Sequence, residues 1–451
     1  MLLENEKWKN QIWGAKVLLL AGFVFCLFFI AEHNLRMSTV ENFVLDIELQ
    51  ESWASGGNSM RRIAFLGCAG LGAVGLMMGQ WGRFRWNVPM VLFVAYLAWA
   101  GASVAWSIDP SATVRRYILM ICCAIGCFGV SRFLSMEQVI LAAVITTLGW
   151  FSIGLMAEIA FGAFRPHQGD YRFAGTLHPN LQATNLAILC LSSFTMAKTR
   201  PKFKWLFYGI LAGAFCFLIL TKCRTITAVL PFSIGVIWFV TQPAKQVVIG
   251  SMAGLWFVSV CILGFLVIGF DPLSEYSELL LLGRSEETGS SLTGRLPLWK
   301  DLSNYIVQRP WHGYGFGAFW TPRNIYDIAL GQEWVISEAH SSYVDSALQV
   351  GLIGALLMIG VAVSTFFLTV AIYRRTHKPE YMFVIGGVVL CLIRGLTESG
   401  MGGPSGFSSS LILVMAAHSW NAPSQNDASD ELEQSNTNLQ VSSSSGAVVY
   451  E

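Results

Sequence analysis

The sequence predicts an all-α polytopic integral membrane protein, with about twelve transmembrane helices and one large exported loop between spans nine and ten. Three observations carry that prediction. Of its 451 residues, 54% are hydrophobic and only 13% are charged, where a soluble domain carries about 25% charged residues. Mean hydropathy is +0.54. The apolar residues also fall in continuous runs, each close to the roughly 20 residues that cross a bilayer as a helix, not in the alternating segments of about ten that build a barrel. Within lipid the backbone must bond to itself, so runs of this kind are helices.

The runs lie at 13–31, 63–80, 88–106, 117–134, 138–162, 181–197, 204–221, 225–241, 247–270, 346–373, 381–396 and 406–420. The first follows Lys7, Lys9 and Lys16 but no small-residue cleavage site closes it, so it reads as a retained span and not as a signal peptide. Residues 1–420 thus form one transmembrane domain, with the exported loop at about 271–345. Residues 421–451, rich in Ser, Asn, Gln, Asp and Glu, read as a disordered cytoplasmic tail. An even number of spans puts both termini on one side. With that side cytoplasmic, Lys7, Lys9, Lys16, Lys198, Lys202, Lys204, Lys245 and Lys378 face inward and only Lys222 and Lys300 face out. That is the bias expected of short cytoplasmic loops.

Arginine runs the other way. Arg165, Arg172, Arg224, Arg284, Arg295, Arg309 and Arg394 fall on or near the exported side. The pairs Arg61/Arg62 and Arg115/Arg116 read as helix-end residues that snorkel to the interface. The remaining guanidiniums suit planar, two-pronged recognition of phosphate or carboxylate. A net charge of +1 argues against nucleic acid as a partner. The ten cysteines sit mostly within apolar runs and repeat no ligand spacing, which argues against a disulfide framework or a zinc site.

Individual stretches sharpen the picture. "YRFAGTLHPN", 171 to 180, joins Arg172, a glycine turn, His178 and Asn180, with Pro179 placed for a first helical turn. "TKCRTIT", 221 to 227, sets Arg224 in a short polar break between two apolar runs, where a charge ordinarily faces a cavity or a partner. Arg394 and Glu398, in "CLIRGLTESG", are four apart and read as an ion pair on one helix face. Within the long loop, "LTGRLPLW" carries Arg295 and Trp299, and "WHGYGFGAFW" adds Trp311, Tyr314, Phe316, Phe319 and Trp320. These rings fit either stacking on sugars beside arginine or an interfacial aromatic belt. Gly313, Gly315 and Gly317 imitate a nucleotide loop but neither follow a strand nor complete its fingerprint.

"EAHSSYVDSALQVGLIG", 338 to 354, places Glu338 and His340 just before an apolar run. Ser341 or Ser342 can cap the helix that follows. The positive end of that helix is expected to keep His340 neutral, able to accept a proton, with Glu338 either orienting it or solvated. There is no D-x-D pair, no H-E-x-x-H, no Walker loop and no G-x-S-x-G. ATP-driven transport and metal-dependent use of a nucleotide sugar both lose ground on that count. No cofactor is expected.

With "RFAGTLHPN", the arginine of "KCRTIT", "LTGRLPLW", and "GYGFGAFW" followed by "EAHSSYVDSALQVGLIG" in this order, the chain resembles the O-antigen ligase and Wzy-type polymerase superfamily. The resemblance implies a metal-independent glycosyltransferase of the bacterial inner membrane, active on the exported face. Its donor would be a glycan on undecaprenyl diphosphate and its acceptor a sugar hydroxyl. Envelope-assembly proteins would be further partners. It makes His340 the catalytic base and Arg172, Arg224 and Arg295 the diphosphate ligands, with Glu338, His178, Asn180, Arg394 and Glu398 in support. The "LTGR…W" stretch looks more like exopolysaccharide polymerases than lipid A–core ligases. A transporter or flippase of a lipid-linked glycan is the rival from another class. It would show inverted repeats and mid-bilayer charges, whereas the polar residues here collect on one face.

Overall fold

The computed structural model describes residues 2–30, 59–78, 86–168, 171–243, 291–332, 338–401 and 407–421, with isolated positions between 245 and 256 and Ile336. In chain order the helices are α1 (Leu2–Ile30), α2 (Ser59–Met78), α3 (Val88–Ala102), α4 (Pro110–Phe133), α5 (Met136–Ala160), α6 (Pro179–Thr199), α7 (Lys204–Leu220) and α8 (Arg224–Thr241). They continue as α9 (Ser291–Gln308), α10 (Pro322–Gln332), α11 (Ser342–Thr376), α12 (Glu380–Arg394) and α13 (Phe407–Trp420). Local sequence sets many of the boundaries. Asn87, Asp109 and Ser135 cap α3, α4 and α5 through their side chains, and Pro sits in the first turn of α3, α4 and α6.

The expected span at 247–270 lies largely outside the described residues, as does the tail beyond Asn421; every other expected span coincides with a helix. Among the described residues seven helices, against the twelve expected spans, are long and apolar enough to cross a membrane. The apolar parts of α1 and α13 are shorter, Gly14–Ile30 and Ser409–Trp420. Helix α6 falls below the mark for a physical reason. It packs against α5, α7, α8 and α12 at the centre of the bundle, so it faces protein and tolerates buried Gln182, Thr184, Asn185, Ser192, Ser193 and Thr195.

The long loop, expected to be exported, carries secondary structure of its own. Its described part folds into α9 and α10 around an apolar core of its own, with Leu298, Leu302, Phe319, Ile325, Ile328 and Ile336 buried. Of the aromatic cluster expected to stack on sugars or line the interface, Tyr314, Phe319 and Trp320 join that core, Phe316 is buried in a second core with Phe93 and Tyr96, and Trp311 stands exposed. Packing among their own edges and faces outcompetes exposure.

Helix α11 is interrupted at Gly351, whose φ of 70° and ψ of −178° are outside helical space. A break in a spanning helix frees backbone groups that lipid cannot satisfy. Here the segment 310–315 satisfies them: Tyr314 N donates to Leu348 O (2.8 Å), Gly315 N to Gln349 O (2.8 Å), and Leu352 N to Pro310 O (2.8 Å). A Cβ on Gly313 would sit 2.6 Å from Gly351 N. Gly313 therefore serves backbone-to-backbone docking, while Gly315 and Gly317 make room for the side chains of Ser107 and Arg116.

Candidate functional site

Six helix termini converge on one end of the bundle: the C-terminal ends of α5, α7 and α12 and the N-terminal ends of α6, α8 and α11. The residues between them form a continuous polar network. Arg172, in the turn before α6, donates from Nε to Thr221 O (3.0 Å) and from Nη2 to Asn180 Oδ1 (2.9 Å). Asn180, at the second position of α6, passes the connection on, its Nδ2 donating to Glu398 Oε1 (2.9 Å). The same Glu398 oxygen lies 3.5 Å from Arg295 Nη2, while Arg295 Nη1 donates to Thr397 O at 2.7 Å. Loop, bundle and post-α12 turn are thereby tied through one carboxylate.

His340 completes the group. Its Nδ1 is 3.1 Å from Glu338 Oε1. Glu338, His340 and Glu398 each bring one ligand-type atom to within 4.8 Å of the others. That spacing would fit a cation. Yet each of the two carboxylates already faces a cationic or hydrogen-bonding partner, Glu398 the Arg295 guanidinium and Asn180, Glu338 the imidazole. Glu338 is 44% exposed and His340 25%, against 14% for Glu398, so the imidazole–carboxylate pair opens outward while Glu398 lies beneath it.

The electrostatics run against the direction expected for His340. Burial pulls His340 down, but the contact with Glu338, the charge of Glu338 and then that of Glu398 outweigh it and hold the imidazole above its ordinary value. The two carboxylates thus act against the helix terminus that was expected to favour the neutral imidazole. Glu338 is pushed up by burial, yet His340, Arg394 and His178 bring it below its usual range. Glu398 is raised, chiefly by burial, with Arg394 opposing.

The remaining expected residues take distinct places. His178 is the N-cap of α6, Nδ1 accepting from Asn180 N at 3.3 Å, and burial followed by Arg172 lowers its pKa. Arg224 opens α8, three residues after the carbonyl that receives Arg172. Arg394 ends α12, so the expected Arg394–Glu398 pair on one helix face does not form: Glu398 lies in the turn beyond and points to Asn180 and Arg295.

Three further side chains hold the network in place, and the sequence reading passed over their part in it. His340 has a φ of 48°, a conformation L-residues rarely adopt. Its neighbour Ala339 is gripped from both sides: Trp299 Nε1 donates to Ala339 O (2.9 Å), and Ala339 N donates to Asp345 Oδ1 (3.2 Å). Trp320 Nε1 donates to that same Asp345 oxygen at 2.8 Å. Asp345 is 6% exposed, and a lone acidic residue in "SSYVDSALQ" was the available signal.

Residues 209–359 match the family described as O-antigen ligase (Wzy_C), a segment holding Arg224, Arg295, Glu338 and His340. The exopolysaccharide production protein ExoQ of Rhizobium meliloti (strain 1021) is 23% identical over 342 residues, covering 71% of this chain and 74% of that protein. The resemblance to the O-antigen ligase and Wzy-type superfamily is borne out. With its apolar helices, this indicates a multi-pass protein of a bacterial inner membrane, of the ligase and polymerase type that transfers glycans.

Proposed function

We propose that this chain transfers a glycan from undecaprenyl diphosphate to a sugar hydroxyl, as a polymerase of exopolysaccharide repeats, on the exported face and without a resident metal. The observation that carries the reading is the Glu338–His340 pair set against the Arg172–Asn180–Glu398–Arg295 network. With Nδ1 turned to Glu338, His340 Nε2 takes the proton of the acceptor hydroxyl, as general bases do for about 10² to 10⁴-fold in rate. The acceptor oxygen bonds to the anomeric carbon as the bond from that carbon to the diphosphate oxygen breaks, inverting the centre. The electron pair leaves on undecaprenyl diphosphate, where Arg172, Arg295 and Arg224 neutralise it; this electrostatic contribution is the larger one.

The relative's name, which speaks of exopolysaccharide production, favours a polymerase. The matched family's description favours the second reading, ligation of the finished glycan to lipid A–core. Replacing His340 by Ala in the native host separates them. Single lipid-linked repeats should accumulate. Intact polymer left on its lipid carrier, with a bare acceptor, would instead establish ligation. Unaltered glycan would remove His340 from the chemistry.

A further inference from the structure

Glu158 is an acidic residue in the last turn of a spanning helix, 3% exposed and outside the network described above. A charge there is tolerated only with full compensation, and the compensation is specific. Oε2 accepts from Tyr171 Oη at 2.5 Å, and Oε1 accepts from Ala174 N (2.9 Å) and Gly175 N (2.7 Å). The backbone carbonyl of the same residue accepts from Ala163 N and Phe164 N, at the start of the same connection. One residue thus anchors both ends of the segment between α5 and α6.

Arg172 lies between those anchor points. Its neighbour Tyr171 is held by one carboxylate oxygen and the two residues after Phe173 by the other. Phe173, fully buried, is pinned through its own N–H to Leu220 O at 2.9 Å. Gly175, at φ 62°, lies against Gly154, where a Cβ on Gly175 would be 2.9 Å from Gly154 Cα, so the turn sits flush on α5 one helical turn before Glu158. The guanidinium then reaches Thr221 O and Asn180 Oδ1.

We infer that Glu158 is a positioning residue for the donor diphosphate: its carboxylate fixes the backbone from which Arg172 reaches the leaving group. The inference rests on the role given to Arg172 above. A merely structural carboxylate would affect stability and leave ligand affinity alone, or weaken it whatever Arg172 does. A positioning carboxylate acts through Arg172 and through nothing else.

The test is a double-mutant cycle on the full-length, detergent-purified chain, read as the Kd for undecaprenyl diphosphate. Arg172→Ala should weaken binding about tenfold, the loss of one charge-assisted contact. Glu158→Ala should weaken it by a similar factor, and the double variant no further than Arg172→Ala alone. Against Arg295→Ala, by contrast, the effect of Glu158→Ala should multiply in full. Tyr171→Phe and Glu158→Gln, which keep the shape and part of the bonding, should give smaller losses that also vanish when Arg172 is absent; they decide the matter if Glu158→Ala does not accumulate. Factors that multiply with Arg172→Ala, or unchanged affinity in the Glu158 variants, overturn the inference. Unchanged affinity in both Arg172→Ala and Arg295→Ala would instead sink the reading of the site on which it rests.

Discussion

At the scale of single residues, the Glu338–His340 pair makes a prediction about pH. A base must be neutral to act, and Glu338 and Glu398 favour the protonated imidazole. The acid limb of the transfer rate should therefore fall above the ordinary imidazole value of 6.5. Removing one carboxylate charge with Glu338→Gln lowers the His340 pKa, so the limb should move to lower pH while the plateau rate drops. Transfer measured in host membranes over a pH series, with EDTA present throughout, checks both points. A limb that stays put, or moves up, would detach His340 from the rate; abolition by EDTA that magnesium reverses would contradict a metal-free reaction. Much of this pair could be read from residue types alone, since a histidine beside a carboxylate at a helix mouth is conspicuous. Its protonation could not, because Glu398 approaches from 58 residues away (398 − 340) and sequence carries no such distance.

Elements explain where the sequence was legible and where it was not. Hydropathy marks apolar runs, so α2, α3, α4, α5, α7, α8 and α11 stand out. It says nothing of a break whose backbone groups are met by another segment, which is why the apolar part of α11 reads as one uninterrupted span. Gly351 is the test case. Its conformation is nearly restricted to glycine and costs another residue about 1–3 kcal/mol, and a Cβ would stand 2.2 Å from Trp311 O. Gly351→Ala should lower the thermal midpoint of the purified protein and abolish transfer, because the 310–315 segment would lose its seat on α11, whose first turn adjoins the Glu338–His340 turn. Gly213→Ala on α7, where a Cβ meets nothing within 4 Å, should be neutral or raise the midpoint through its better helix propensity. Equal behaviour of the two variants would refute the docking role of the break.

For the whole molecule the decisive relation is between the lysines and the site. Arg172, Asn180, Arg224, His340 and Arg394 lie at one set of helix ends: before or at the start of α6, α8 and α11, and at the end of α12. Lys198, Lys202, Lys204 and Lys378 lie at the opposite ends of those helices or in the turns that join them, near the close of α6, the start of α7 and the close of α11. Short loops rich in lysine stay in the cytoplasm, so the proposed reaction requires the network to face out, towards the proposed lipid-linked donor. The prediction is one of accessibility. Lys300, exposed on α9 beside the site, and Lys202, exposed between α6 and α7, are replaced in turn by cysteine. A membrane-impermeant maleimide should label the Lys300→Cys chain in intact cells above the level of the unsubstituted protein, whose described cysteines are mostly withdrawn from solvent. The Lys202→Cys chain should be labelled only after the membrane is permeabilised. The reverse pattern would put the arginines and His340 on the cytoplasmic face, and the proposed reaction would then lack access to an exported donor.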